Sequence, residues 1–142
     1  MATRLEHANL IVRNIDSTIL FLQTAFPRFR IRHDSGEVPG GRWVHFGCED
    51  SYIALEQATR EPTEPWQPYS GRPGLNHLGY AVDDVAALRT RMLEAGYQES
   101  TIPNHHRHRR RVYFYDKEGN DWEFVQYLSA EPADRNDYAI QE

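Results

Sequence analysis

Short stretches in which hydrophobic and polar residues alternate predict the β-strands of the first half of the chain. After the first of them, apolar residues recur every three or four positions from Ile15, a spacing typical of an amphipathic helix that Asn14 can cap and Pro27 ends. The first half is therefore predicted to be a β-α-β-β-β unit. Its predicted strands are residues 5–13, 28–34, 41–48 and 51–58.

The second half of the chain repeats this order of elements. With an offset of 70 positions, His7 falls on His77, and Leu5 and Val12 fall on residues of the same type. The predicted fold class is α+β, with two paired βαβββ modules. The second set of elements is a strand at 74–82, a helix from about 84 to 95, and strands near 97–101, 111–116 and 121–128. The predicted organisation is a module over 1–58, a proline-rich linker over 59–73, a module over 74–128 and a polar tail over 129–142.

Two histidines and two glutamates are predicted on the sheet faces that the helices leave free. Successive side chains of a strand point to opposite faces, so His7 and Glu56 lie opposite the first helix, and His77 and Glu123 opposite the second. Glu56 and Glu123 take corresponding places if the turn before each last strand differs by one residue. Because packing alone gives no reason to place both residue types twice, the duplication favours a site for Zn, Ni, Co, Fe(II) or Mn.

Composition narrows the class of protein further. The net charge of −5 at pH 7 argues against a nucleic-acid-binding protein, whose binding face is usually basic. The one cysteine excludes an intrachain disulfide. No apolar run is long enough for a membrane span, and the first residues lack the apolar core of a signal peptide. We therefore expect a cytoplasmic protein that acts on a small molecule, with no nucleic-acid or membrane partner.

Four stretches carry a resemblance to the vicinal oxygen chelate superfamily, the glyoxalase, bleomycin-resistance and dioxygenase group: LEHANLIV, YIALEQ, LNHLGYAVDDVAAL and RVYFYDKEGNDWEFVQ. The resemblance implies curved mixed sheets around a metal-binding cavity, with one divalent metal per site held by His7, Glu56, His77 and Glu123. This ligand set is similar to that of lactoylglutathione lyase (glyoxalase I)-like members. Extradiol dioxygenases and fosfomycin thiol transferases of the group use two histidines and one glutamate.

The resemblance also implies a reaction. A glyoxalase-like lyase or isomerase would act on a small vicinal-oxygen substrate through a metal-stabilised enediolate, with Glu56 or Glu123 as the catalytic base. Two alternatives stay open. One is an Fe(II)-dependent dioxygenase, whose open positions Glu56 would crowd, and the other is a non-catalytic resistance-type binding protein, against which the complete ligand set argues. The modules pair within one chain or across a homodimer, and the dimer is favoured.

Five further residues are predicted to bind substrate. The run HHRHRRR at 105–111 is either a solvated loop or an anion clamp, in which Arg111 shares the cavity face of a strand with Tyr113. Alternation also places Trp43 and His45 on the cavity face of the third strand. His45 is either a pocket-lining residue or a second acid–base group. Together with Tyr113, Trp43 and Tyr52 would form the apolar wall of the pocket.

Overall fold

The computed structural model describes residues 2–103 and 105–139. The chain divides into two compact units, and the boundary between them falls between Pro65 and Trp66. None of the helices in the described residues is long and apolar enough to cross a membrane.

The first unit is one mixed sheet with a helix. Its strands follow the order β1-β4-β3-β2, in which β1 and β4 are parallel and the other pairs are antiparallel. The elements are β1 (His7–Val12), α1 (Ile15–Ala25), β2 (Arg30–Asp34), β3 (Trp43–Gly47) and β4 (Tyr52–Gln57).

The second unit has the same topology. Its sheet follows the order β5-β8-β7-β6, again with one parallel pair, β5 and β8. The elements are β5 (His77–Ala81), α2 (Val85–Glu94), β6 (Gln98–Glu99), β7 (Arg109–Tyr115), β8 (Asp121–Tyr127) and the short helix α3 (Pro132–Arg135). The two βαβββ units confirm the predicted α+β fold. Part of the predicted polar tail is helical, and residues 140–142 of that tail lie outside the described residues.

Each sheet buries one face against its own helix. The first cap lies where the sequence predicts it, because the side chain of Asn14 accepts a hydrogen bond from the backbone N–H of Ser17, and Asp84 caps α2 in the same way through the N–H of Ala87. Phe21 and Leu22 of α1 are fully buried, as is Met92 of α2. The faces opposite the helices are left for other contacts.

The two sheets share a register, except for one extra residue in the second unit's last turn. That turn covers 116–120, whereas its counterpart covers 48–51. Glu123 pairs with Gly79 on β5, and the equivalent pair in the first unit is Ala54 with Asn9. Matching Glu56 to Glu123 is therefore wrong, because Glu56 lies two residues further along its strand.

The basic run at 105–111 is only partly a loop. Strand β7 begins at Arg109, two residues earlier than the sequence predicts, so the last three arginines of the run belong to the sheet. They pair with residues 125–127 of β8. Arg109 and Arg111 are half-buried, whereas Arg110, which alternation places on the opposite face, is exposed.

Candidate metal and substrate site in the second unit

A histidine and a glutamate meet on neighbouring strands of the second unit. His77 begins β5 and Glu123 lies in the middle of β8, with His77 Nε2 3.0 Å from Glu123 Oε2. Gly79 on β5 presents no side chain to this carboxylate, and a Cβ added there would make ordinary van der Waals contact with Glu123 Oε2 at 3.4 Å. An imidazole nitrogen and a carboxylate oxygen are donors that Zn, Mn and Fe(II) accept.

The other nitrogen of the His77 ring faces a tyrosine from the segment before β5. Tyr69 Oη lies 3.0 Å from His77 Nδ1, and its O–H donates to Asp121 Oδ2 at 2.6 Å. The second oxygen of Asp121 accepts a hydrogen bond of 2.5 Å from Ser100 Oγ. Burial and the hydrogen bond to Asp121 raise the pKa of Tyr69, so its hydroxyl keeps its proton. His77 is therefore held on both sides of its ring.

A cavity of about 360 Å³ opens beside this network. Arg111 reaches it from β7, and its Nη1 lies 3.8 Å from Glu123 Oε1. Among the described residues, the buried Nε of Arg111 has no hydrogen-bond partner. The Arg111 side chain as a whole is 28% exposed, so its guanidinium can meet an anionic ligand in the cavity. The lining residues are Tyr69, His77, Ser100, Ile102, Arg111, Tyr113, Tyr115 and Asp121.

Tyr113 contributes a neutral hydroxyl to the cavity. Its ring packs edge-on against His77, with 5.6 Å between the ring centroids. Burial and the negative charge of Glu123 raise the pKa of Tyr113 to about 12. Tyr113 therefore remains protonated at neutral pH and can donate a hydrogen bond.

In the first unit, a series of ring contacts begins at His7. His7 stacks on Tyr52 at 4.8 Å, Tyr52 stacks on His45 at 4.7 Å, and His45 contacts Trp43 at 5.1 Å. The guanidinium of Arg32 lies 4.3 Å from the centre of the Tyr52 ring. Burial lowers the pKa of His45, and the nearby positive charge of Arg32 lowers it further, so this imidazole is held neutral.

His7 has a different carboxylate partner from His77. Its Nδ1 lies 3.0 Å from Glu6 Oε1, and the hydroxyl of Tyr52 also donates to that oxygen at 3.3 Å. Both hydrogen bonds lower the pKa of Glu6, and the one with His7 has the larger effect. Glu56 lies four residues beyond the strand position that pairs with His7, and with Trp43 it lines a separate cleft of about 320 Å³. Its ligand role stays a prediction.

The donors of the second unit fit a divalent cation, although they supply only part of its coordination. His77 and Glu123 present nitrogen and oxygen side by side on neighbouring strands. Across residues 2–103 and 105–139, no group of three or more His, Cys, Asp and Glu side chains is arranged to hold a metal ion. A further ligand would have to be added to this pair.

Sequence reasoning missed three residues that shape the site. Tyr69 falls within the predicted linker, and no periodic pattern connects it with His77. Asp121 is nearly fully buried at 3% exposure, and only its position two residues before Glu123 marks it. Gly79 lies between apolar strand residues, where a glycine suggests a close approach of another group.

Known proteins resemble this chain in sequence or in three-dimensional structure. The uncharacterised protein YwbC of Bacillus subtilis (strain 168) is 27% identical over 90% of this chain and 98% of its own length. A glyoxylase/bleomycin resistance protein/dioxygenase domain from Frankia sp. EAN1pec superposes with a TM-score of 0.73, at 18% identity over 92% of this chain and 96% of that one.

A third relative was crystallised with ligands. A mutant of the fosfomycin resistance protein FosX from Listeria monocytogenes, complexed with Mn(II) and 1S,2S-dihydroxypropylphosphonic acid, superposes with a TM-score of 0.69, at 20% identity over 96% of this chain and 100% of that one. These likenesses establish a shared fold. The family model of the Glyoxalase/Bleomycin resistance protein/Dioxygenase superfamily matches residues 4–124, most of both units, and the chain belongs to that superfamily.

Proposed function

We propose that this protein is a divalent-metal-dependent enzyme acting on a small anionic molecule with two adjacent oxygens, and that its reaction is a glyoxalase-like lyase or isomerase reaction. The observation that carries the proposal is the His77–Glu123 pair, 3.0 Å apart, beside a cavity that Arg111 also lines. A pair of metal donors next to a cationic group suits a chelating anion.

His77 and Glu123 would hold the metal. When bound, a divalent cation supplies Lewis acidity toward the substrate oxygens. The duplication of the sequence predicts His7 as a further ligand, and Glu56 stays a candidate for the fourth. The register favours His7 over Glu56, because His7 corresponds to His77 while Glu123 corresponds to Ala54.

Arg111 and Tyr113 would orient the substrate. The Arg111 guanidinium, which lines the cavity, supports binding of a carboxylate or phosphonate oxygen, and the neutral Tyr113 hydroxyl can donate to a second oxygen. The Listeria relative was crystallised with Mn(II) and a dihydroxylated phosphonic acid, a molecule that has both an anionic group and two adjacent hydroxyls. We assign this protein a substrate that likewise has an anionic group and two adjacent oxygens, here those of a hydroxyl and a neighbouring carbonyl.

Glu123 is the group we assign to proton transfer. Its carboxylate would accept a proton from the carbon beside the substrate carbonyl and return it to the neighbouring carbon, so the overall reaction is an isomerisation. The other carboxylate oxygen lies 3.8 Å from Arg111 Nη1, within reach of the same guanidinium that would bind the substrate.

An Fe(II)-dependent dioxygenase is the second candidate, and one observation favours it. The first unit has Ala54 at the place of Glu123. If His7, His77 and Glu123 are the only protein ligands, they form a set of two histidines and one carboxylate, which is typical of non-haem Fe(II) oxygenases.

Metal analysis of the purified protein beside its Glu123→Ala variant tests the proposal first. About one divalent ion per chain, lost in the variant, supports it, and a wild-type chain that takes up none of Mn, Ni, Zn, Co or Fe(II) contradicts it. Methylglyoxal–thiol adducts then test the isomerase reaction. Oxygen uptake that requires Fe(II) and catechol-type substrates would instead identify the dioxygenase.

The predicted homodimer is tested by mixing two defective variants. His7→Ala and His77→Ala chains are each unable to complete a site under this proposal. If the ligands of one site come from two chains, unfolding and refolding the variants together restores metal binding. If they come from one chain, the mixture binds no more metal than either variant alone.

A further inference from the structure

The contacts of the His77 ring determine which of its nitrogens carries the proton. A neutral imidazole has one N–H and one lone pair, and only the nitrogen with the lone pair can bind a metal. His77 Nδ1 faces Tyr69 Oη at 3.0 Å, and Nε2 faces Glu123 Oε2 at 3.0 Å. The imidazole proton can therefore be donated to either of two acceptors, which lie on opposite sides of the ring.

The Tyr69 hydroxyl has a better acceptor than His77. It has one proton to donate, and it lies 2.6 Å from Asp121 Oδ2, a distance typical of an O–H donating to a carboxylate. With that proton committed to Asp121, the Tyr69 oxygen can only accept from His77. A proton on Nδ1 would satisfy that oxygen, whereas a proton on Nε2 would satisfy Glu123 and leave Nδ1 facing the Tyr69 oxygen with no hydrogen between them.

The orientation of Asp121 is itself fixed. Its Oδ1 accepts hydrogen bonds from Ser100 Oγ at 2.5 Å and from the backbone N–H of Trp122 at 3.2 Å, which leaves Oδ2 for Tyr69. The side chain is almost completely buried, at 3% exposure, so water does not compete for these bonds.

The backbone of Tyr69 is in an unusual conformation that places its side chain here. Its φ of 63° lies in the left-handed region, where no other non-glycine residue of the described chain is found. The side chain of Asn76 holds this conformation by accepting a hydrogen bond of 2.9 Å from the Tyr69 N–H. Such strain persists where the surrounding structure has a use for the side chain it positions.

We propose that Tyr69 and Asp121 are positioning residues that hold the proton of His77 on Nδ1, so that Nε2 presents its lone pair beside Glu123. The inference rests on the proposed function, because an open Nε2 matters only if a metal binds there. In this arrangement two electron-rich atoms, Nε2 and Glu123 Oε2, lie 3.0 Å apart with no proton between them. A cation between them removes the repulsion, so the pair favours metal binding before any metal arrives.

The ¹⁵N shifts of the His77 imidazole in metal-free protein test the inference directly. Spectra are recorded about two pH units above the usual imidazole pKa of ~6.5, and a His77→Gln spectrum identifies the signals. The wild-type ring should be protonated at Nδ1. In Tyr69→Phe, which loses only the hydroxyl, the proton should move to Nε2 and donate to Glu123. Tyr115→Phe removes a hydroxyl from the same cavity without touching His77, and it should leave the tautomer unchanged.

Asp121→Asn separates the hydrogen-bond relay from a purely steric role of Tyr69. The amide oxygen would keep the contacts with Ser100 and Trp122, so the NH₂ group would face Tyr69 and donate to it. The Tyr69 hydroxyl would then donate to His77 Nδ1, and the imidazole proton should again appear on Nε2. This variant should therefore move the imidazole proton to Nε2 while the side chains of Tyr69 and His77 are both still present.

Mn(II) affinity gives a second readout. Tyr69→Phe and Asp121→Asn should each weaken binding by about 10–100-fold, the usual effect of losing an outer partner of a metal-ligating histidine, and Tyr115→Phe should not. A wild-type ring protonated at Nε2, or at both nitrogens, overturns the inference, as does a tautomer that Tyr69→Phe leaves unchanged. If the wild type binds no metal, the proposed function fails, and the metal-free spectra still decide the tautomer.

Discussion

The histidines at the start of the first strand have different neighbours in the two units. His77 lies between a tyrosine hydroxyl and a carboxylate, whereas His7 lies on the ring of Tyr52 and beside the exposed Glu6. Tyr52 occupies the strand position that Asp121 has in the second unit. Two copies of one backbone therefore carry an aromatic stack in one case and a hydrogen-bonded carboxylate network in the other.

The same contrast extends to the neighbouring strand. Trp43 and His45 of β3 pair with Glu56 and Ala54 of β4. Arg111 and Tyr113 of β7 pair with the equivalent residues of β8, so Trp43 and His45 take the places of Arg111 and Tyr113. The two units share the strand order and the histidine, and different residues on the free face make them chemically different. The second unit has groups suited to a metal and an anion, and the first unit has rings suited to an apolar wall.

Exchanging each glutamate for glutamine should give the largest difference between the two units. Glu123→Gln removes both a proposed ligand and the proposed base, so turnover should fall by ~10²–10⁴-fold. Glu56→Gln should change turnover much less, because its strand position matches Val125 rather than Glu123. Equal losses in the two variants would instead support the four-ligand set that the sequence predicts. Steady-state kinetics on metal-loaded protein, with metal content measured in parallel, separates these outcomes.

The last turns of the two units should differ in their contribution to stability. Asp116 is buried and accepts hydrogen bonds from the backbone N–H groups of Glu118 and Asn120 and from Trp122 Nε1. Asp116→Ala leaves these donors unsatisfied and should lower the free energy of unfolding by roughly 2–4 kcal/mol.

The matched change in the first unit is Asp50→Ala. Asp50 is exposed and forms a surface ion pair with Arg4, so its loss should cost less than about 1 kcal/mol. Urea unfolding of both variants measures the difference. Similar costs for the two turns would show that the hydrogen bonds of Asp116 add little to the stability of the second unit.

Arg111 should affect substrate binding more than catalysis. Arg111→Ala removes the cationic group of the cavity and should raise KM by about 10–100-fold, equivalent to roughly 1.4–2.8 kcal/mol, with a smaller change in kcat. Arg110→Ala is the matched control, because Arg110 is the next residue of β7 and does not line this cavity. A KM that responds equally to both changes would mean that only general positive charge attracts the substrate.

The ion pairs at the two sheet edges should give the smallest effect. Hydrogen bonds from Arg42 lower the pKa of Asp34 from its usual 3.8 to about 2, and those from Arg89 lower the pKa of Glu99. Because the pKa is depressed in the folded state, the stabilisation by Asp34 is present above pH 4 and is lost as the pH falls toward 2. The stability difference between wild type and Asp34→Asn, at most about 1 kcal/mol for so accessible a pair, should therefore disappear over that range. A difference that persists to pH 2 would contradict it.

The sequence was sufficient to predict the order of the elements and the free face of each sheet. Hydrophobic alternation has a period of two, so it assigns Ala54 and Glu56 to the same face and cannot distinguish between them. If the longer last turn is placed in the first unit instead of the second, Glu123 is matched with Glu56 instead of Ala54. Both residues lie on the same face of the sheet, so the alternation does not reveal the mistake. Only the pairing of the strands reveals which residue lies opposite which.

Tyr69 could not be found in the same way. It lies in a proline-rich segment without periodicity, and its contact with Asp121 joins residues 52 positions apart. The contact depends on a backbone conformation that tyrosine rarely adopts, so neither propensity nor spacing indicates it. Arg111, in contrast, is predictable from the sequence, because strand alternation alone places it on the same face as Tyr113.

The proposed function requires that His77 and Glu123 of the second unit hold a divalent cation. Pulsed electron paramagnetic resonance of Mn(II)-loaded protein tests it directly, because histidine nitrogens bound to manganese modulate the electron spin echo. With ¹⁵N-labelled histidine, the wild type should show manganese coupled to imidazole nitrogen, and His77→Gln should lose the coupling of one imidazole. An unchanged coupling in His77→Gln would show that the metal binds elsewhere and would contradict a metal site at His77 and Glu123.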